Sequence, residues 1–203
     1  PGADPVHRPL VRVLGDPGAD EQVGDVGRGD LDGRHTGRDV LLAVNLVQDA
    51  EVTVVNEGGT GTRAEIDLYK NADWAKPYDV IIHNECFADT DNENYIRSIT
   101  GAHKAGKPAM VIHCAMHTYR SAKIDDWREF LGVTSKHHEH MAEYPVKVVA
   151  KDHPIMKGFP ENWVTPKDEL YIIEKLWPNA KALAYSTSEK DGKEHAVIWT
   201  NSY

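Results

Sequence analysis

The sequence predicts an α/β protein built on a parallel sheet, and three observations carry that prediction. Short apolar runs rich in β-branched residues, Glu51 to Val55, Val80 to Ile82 and Ala109 to Ile112, alternate with segments of helical periodicity. The runs are continuously apolar rather than alternating, as strands covered on both faces must be. Two of them end abruptly in polar strings, one from His83 to Cys86 and one from His113 to Arg120. Ligands of parallel α/β sheets bind beyond the carboxyl ends of the strands. The polar strings are therefore where chemistry is expected.

The elements follow in order. Val40 to Val44, with Leu46 and Val47, suits a buried helix, and Asn56-Glu57-Gly58-Gly59 breaks the strand after it. Thr90-Asp91-Asn92-Glu93 has the spacing of a capping box, with Thr90 at the N-cap and Glu93 at N3. The helix it opens carries Tyr95, Ile96, Ile99 and Ala102 on one face, and Gly106 closes it. Ser121 to Leu131 reads as a further helix, stopped by Gly132. Val146 to Ala150 is an expected strand. Lys181 to Tyr185 and His195 to Trp199 form an expected pair, joined by Glu189-Lys190-Asp191-Gly192 with its Asp-Gly turn chemistry. Strands near 51–55, 79–83 and 108–113 are expected to be adjacent, parallel and buried, their ends forming one cleft.

Composition bounds the function. The chain has 203 residues, the size of one domain, and a formal net charge of −9. An acidic chain lacks the basic face that a general nucleic-acid binder needs. No run of 18 apolar residues exists, so no membrane-spanning helix is expected. Two cysteines, Cys86 and Cys114, do not make a disulfide scaffold. Eight of the 11 histidines lie between His83 and His153.

The start of the chain differs from the rest. The first aromatic residue is Tyr69, the first lysine is Lys70, and residues 1–50 hold 8 of the 16 glycines. Residues 1 to about 35 are read as a poorly ordered or aberrant segment. It is either a disordered tail or an out-of-frame reading of a GC-rich gene, with too little apolar bulk to offset chain entropy. Its deletion is expected to change thermal stability little. Residues 36–203 form the expected α/β domain, cut short after the Ala196 to Trp199 strand. No targeting signal is legible, and the cytoplasm is the expected compartment.

The candidate residues each have a competing structural role. Cys114 stands where a strand turns into a loop, the place of a nucleophile elbow, and a helix N-terminus or a histidine could activate it. Ile112 and Met116, two residues to either side, are large for a strained elbow, so a half-buried cysteine at a strand end is the alternative. Glu85 could act as a general base or orient a histidine; a salt bridge would also account for it. His83, Asn84, His113, His117, Tyr119 and Arg120 would line the cleft, Arg120 with a fork that suits a carboxylate or phosphate. His137-His138-Glu139-His140 puts His138 and His140 on one face if the segment is a strand, or His137 and His140 if it is a helix; either pair could hold zinc with a third ligand from His113, His117, Cys114 or Glu85. A solvated polar loop is the alternative. The tryptophans Trp127, Trp163, Trp177 and Trp199 could stack on sugar faces or pack the core.

With these residues laid out, the chain resembles a known family. Val111-Ile112-His113-Cys114-Ala115-Met116-His117, then Trp127 with Phe130-Leu131-Gly132, then Asp152-His153-Pro154-Ile155 with Gly158, then Asp168-Glu169-Leu170-Tyr171 occur in the order found in ThuA-like proteins, named for trehalose utilisation. The resemblance covers residues 51 to 203 and implies the class I glutamine amidotransferase-like superfamily. It also implies a flavodoxin-like three-layer sandwich with a mainly parallel sheet. True amidotransferases of the superfamily flank the nucleophilic cysteine with glycines and add a late His–Glu pair. Neither feature is present here, which argues against glutamine hydrolysis. The expected function is hydrolysis or isomerisation of a sugar derivative by Cys114, His113 and Glu85. A non-catalytic carbohydrate-binding or accessory module is the alternative. The expected partner is a small sugar-type ligand, the cofactor at most zinc, and self-association into a homo-oligomer is compatible with the chain.

Overall fold

The computed structural model describes residues Leu10–Gly15, Glu51–Asn56 and 61–203. The chain forms two compact units, Pro1–Ile124 and Asp125–Tyr203. The expected helix over Val40 to Val47 lies outside the described residues.

The first unit is built on four parallel strands, β1 (Leu10–Gly15), β2 (Glu51–Asn56), β3 (Val80–Asn84) and β4 (Ala109–Val111), in the order β2-β1-β3-β4. Strand β1 runs between two neighbours, Val13 lying opposite Val54 on one side and Ile82 on the other. Here the sequence reading is corrected. Leu10-Val11-Arg12-Val13-Leu14 is a strand inside the segment expected to be poorly ordered, and β2 and β3 are not neighbours because β1 lies between them. The rest of residues 1 to about 35 lies outside the described residues.

Strand β3 holds the centre. Ile81 and Ile82 are consecutive and both buried, so both faces of the sheet are covered at this point. Strand β4 is expected to be buried as well, yet Ala109 and Met110 are exposed; among the described residues β4 stands at the edge of the sheet, paired with β3.

Helix α1 spans Glu93–Lys104 and buries Tyr95, Ile96, Ile99, Thr100 and His103, the stripe that 3.6-residue periodicity requires. Burying Ile96 and Ile99 contributes about 1.5–3 kcal/mol each. Its N-cap is Asn92, whose side-chain oxygen accepts from the Tyr95 amide at 3.2 Å, not Thr90 as the capping-box spacing suggested. Thr90 is used elsewhere. Its hydroxyl accepts from the Ala64 amide and donates to the Ala64 carbonyl, holding the 61–66 segment against the entry to the helix. Gly106, at φ 100°, ends the helix in the left-handed region as expected.

The second unit is antiparallel. Strand β5 (Val133–Ala142) pairs with β7 (Asp168–Leu176), and β6 (Lys147–Val148), β8 (Ala180–Thr187) and β9 (Glu194–Asn201) form a three-stranded sheet in the order β6-β8-β9. The β8–β9 pair is the one the sequence predicts. The mainly parallel sheet expected of the whole chain holds for the described strands of the first unit and fails for this one, in which β5–β7, β6–β8 and β8–β9 all pair antiparallel. Helix α2 is confined to Asp126–Leu131, shorter than the expected Ser121 to Leu131. Asn201 Nδ2 donates to the carbonyls of Glu129 and Phe130, and Trp199 Nε1 donates to that of Leu131, so β9 satisfies the end of α2. Val146, Met156, Leu183 and Ala184 form a core, with Phe159 and Trp163 against it.

Candidate functional site

The ends of β3 and β4 bring most of the expected residues together. The Ile112 amide donates to the His83 carbonyl at 2.9 Å, which places the two polar strings side by side. Beyond this point they remain laced. Thr118 Oγ1 donates to the Glu85 carbonyl at 2.5 Å and accepts from the Phe87 amide, and the Tyr119 amide donates to the Phe87 carbonyl. The result has two layers. Asn84, Cys86, Ile112, His113, Cys114 and Met116 are half-buried at the surface. Below them His83, Glu85, His117 and Tyr119 are buried.

The elbow is real but shifted by one residue. His113 follows the extended Ile112 and has φ 48°, in the left-handed region that a side chain seldom adopts. A tight turn over His113–His117 follows it. The strained position at the strand-to-turn junction therefore carries an imidazole, and Cys114 comes after it. Cys114 is bonded to Cys86, with Cα atoms 5.2 Å apart, so its role as a free nucleophile is corrected. The cause is the sheet: parallel neighbours deliver the residues beyond their ends to the same place, here within disulfide reach.

Below the surface layer lies a chain of polar contacts. His83 Nδ1 is 2.9 Å from Glu85 Oε1, and the Tyr69 hydroxyl donates to the same oxygen at 3.1 Å. His83 Nε2 is 2.9 Å from His103 Nε2, and His103 Nδ1 donates to the Lys107 carbonyl at 2.8 Å. Trp74 packs edge-on against both histidine rings. Burial first, then the neighbouring His83, lowers the His103 pKa to about 3. Tyr119 was expected to line the cleft. It is instead buried, with φ 57°, and burial followed by the nearby Glu85 holds its hydroxyl well above the ordinary tyrosine value. Arg120 is exposed. The sequence reading missed Tyr69 and His103. Their signal was present in principle: His103 falls on the buried stripe of α1, where an apolar residue would be expected.

His138 and His140 lie on β5 of the second unit, each beside its own carboxylate. His138 Nε2 is 3.4 Å from Glu169, and His140 Nε2 is 2.9 Å from Glu189. The Glu139 side chain between them turns inward to the Ser188 hydroxyl and the Glu189 amide. Among the described residues no group of three or more His, Cys, Asp and Glu side chains is placed to hold a metal. A depression of about 280 Å³ lies in the first unit, lined by Arg63, Ala64, Glu65, Thr90, Asp91 and Asn92, none of them an expected site residue.

An α/β unit with polar residues gathered beyond its parallel strand ends defines a class of ligand-handling proteins. The family is fixed by comparison: the chain belongs to the ThuA (trehalose utilisation) family, whose model matches residues 45–203. Among solved structures it is similar to a ThuA-like protein from Bacteroides uniformis, at 16% identity and a TM-score of 0.66, covering 98% of this chain and 80% of that one. It is also similar to one from Parabacteroides merdae, at 16% identity and a TM-score of 0.65, covering 97% of this chain and 76% of that one. At these identities the likeness speaks to the fold. A search of curated proteins finds no match.

Proposed function

We propose that this protein is an enzyme of carbohydrate metabolism that takes a disaccharide-type sugar derivative at the ends of β3 and β4, by hydrolysis or isomerisation. The carrying observation is the elbow at His113. A strained backbone holds a half-buried imidazole beyond β4, in a loop whose Thr118 is tied to the main chain of the buried Glu85. An imidazole there can move protons near neutral pH, which neither ring transfer nor glycosidic cleavage can proceed without. The same observation argues against amidotransferase chemistry, because the strained position lacks a thiol and Cys114 is engaged with Cys86. Asn84 and His117 belong to the sugar-binding set in this reading, and the sheet of the first unit belongs to a flavodoxin-like three-layer arrangement. His138 and His140 stand apart from it, since each is engaged by its own carboxylate.

A second reading, a carbohydrate-binding or accessory module, is favoured by the replacement of the elbow thiol. One experiment separates the two. Trehalose, other disaccharides and their keto derivatives are titrated by calorimetry, and product release is followed by chromatography. The enzyme reading expects binding with turnover, and a loss of turnover of about 10²-fold or more in His113→Ala with binding retained. Saturable binding without turnover in the wild type favours the module. Absence of both binding and turnover overturns both readings.

A further inference from the structure

The buried contacts behind β3 fix a proton count. The Lys107 carbonyl can only accept, so His103 Nδ1, 2.8 Å away, carries hydrogen. His103 is neutral near pH 7, because burial and the adjacent His83 ring lower its pKa to about 3. Its Nε2 is therefore a bare acceptor. His83 Nε2, 2.9 Å from it, must donate. His83 Nδ1 then faces Glu85 Oε1 at 2.9 Å. Two bare acceptors repel at that distance, so one proton lies between them. It rests on the ring, as imidazolium with carboxylate, or on the carboxyl, as neutral imidazole with acid. Either form leaves the pair uncharged overall, as burial of both side chains demands. The other groups facing Glu85 do not alter the count. The Tyr69 hydroxyl lies 3.3 Å from His83 Nδ1 and 3.1 Å from Glu85 Oε1, but its one hydrogen goes to Oε1, the nearer acceptor, so it supplies no second proton for Nδ1; the hydroxyls of Tyr95 and Tyr119, both pushed up first by burial, stay protonated.

Glu85 has one more feature. Its Oε2 is buried and has no hydrogen-bond partner among the described residues. A carboxyl oxygen left this way is costly unless something else visits it. The Glu85 main chain, meanwhile, is tied to Thr118 in the loop that follows His113.

We infer that His83 and Glu85 hold a single shared proton, and that Glu85 is the internal acid of the strand-end site, exchanging that proton through Oε2. The second half rests on the function proposed above. The step balances without a co-reactant. The O–H bond of Glu85 breaks, its electron pair stays on the carboxylate, and the proton passes to a water at Oε2, which hands a proton on to the ligand oxygen. His83 is left as a neutral ring with hydrogen on Nε2. Return of the proton restores the pair. Because Glu85 is sealed from solvent, it reaches the ligand only through that water.

Nitrogen NMR of ¹⁵N-histidine-labelled protein at neutral pH reads the proton directly. The expected spectrum has hydrogen on His83 Nε2 and one strongly deshielded proton shared at Nδ1. In Glu85→Gln the amide donates to Nδ1, so His83 becomes an ordinary neutral ring and the deshielded proton vanishes while the backbone spectrum is retained. A wild-type His83 with hydrogen on Nδ1 and a bare Nε2 would overturn the proton count, and needs no variant to be seen. The role is read from sugar turnover. Glu85→Gln should lower kcat about 10²-fold or more at near-constant KM and flatten the alkaline limb, with partial rescue by Glu85→Asp. An unchanged pH profile in Glu85→Gln would remove the role and leave the count standing. If the wild type turns over no sugar, the function reading fails, and the shared proton is still decided by the NMR result.

Discussion

The histidines gathered at the strand ends of the first unit and those along β5 of the second are used in opposite ways. In the first, His83, His103 and His117 are buried, and the first two are locked to each other, to Glu85 and to a main-chain carbonyl. In the second, His195 is buried and accepts from the Ile173 amide, but on β5 the side chains of His138 and His140 are 41% and 55% exposed and meet carboxylates of their own. Exposed pairs of that kind contribute between nothing and about 1 kcal/mol. A buried pair that loses one partner costs about 3–5 kcal/mol. The difference follows from topology. Parallel strands send their carboxyl ends to one edge, where polar side chains from distant stretches of chain are stacked together. Antiparallel neighbours alternate direction, so no single edge collects their polar residues, and His138 and His140 are left on the surface while Glu139 between them is buried.

That contrast can be broken most severely at β1. Removing residues 1–35, which their composition invites, takes away the strand between β2 and β3. The melting midpoint should fall by far more than about 4 °C, the equivalent of roughly 1 kcal/mol for a domain of this size. An unchanged midpoint would mean that β1 contributes nothing. Next comes Glu85→Ala, which strands His83 in the core. Chemical denaturation should show a loss of about 3–5 kcal/mol, against less than about 1 kcal/mol for His140→Ala. Equal losses at the two positions would erase the distinction drawn between the units.

A smaller effect separates two glycines. Gly132 has φ 79°, and a Cβ there would come within 2.6 Å of Asn201 Cγ and 2.8 Å of Ala180 Cβ. Gly132→Ala should cost about 2–4 kcal/mol from backbone strain and overpacking together. Gly106 has φ 100° but open space around it. Gly106→Ala should cost only the strain, about 1 kcal/mol. Thermal denaturation of the two variants side by side checks the order.

The smallest effect is at Glu139. Burial pushes its carboxyl up, but the Ser188 hydroxyl and the Glu189 and Lys190 amides outweigh this and leave it below the ordinary value of 4.5. A folded-state value below the unfolded one stabilises above the unfolded value and ceases to do so as pH falls through the folded one. The stability gap between the wild type and Glu139→Gln should therefore be constant near neutrality and shrink below about pH 4.5. A gap that widened on acidification would refute the sign.

What could be read from the sequence followed burial. Strand β3, α1 and the β8–β9 hairpin were legible because Ile81-Ile82, the Tyr95 to Ile99 stripe and the Asp191-Gly192 turn each carry an undiluted local signal. Strand β1 was not, since one short apolar run is set among Gly, Asp and Arg. Strand β5 was not, because Lys136 to His140 is polar throughout and the β5–β7 register shifts three times. Thr90 misled because its hydroxyl had a better partner 26 residues away. Position along the chain was enough to put His83, Glu85 and His113 at the ends of β3 and β4, which is where the structure has them. The Cys86–Cys114 bond and the His103 contact needed the third dimension, since sheet pairing and helix packing close those distances.

The bond between Cys86 and Cys114 spans a sequence separation of 28 and makes a closed covalent ring. All of α1 and β4 lie on that ring. A protease that cuts once anywhere between the two cysteines opens the ring without dividing the molecule. Under non-reducing conditions such a nicked chain still migrates as one species, and only reduction separates it into two fragments. A single-band gel after limited digestion would therefore be poor evidence that the backbone is whole, and mass measurement would show the added water.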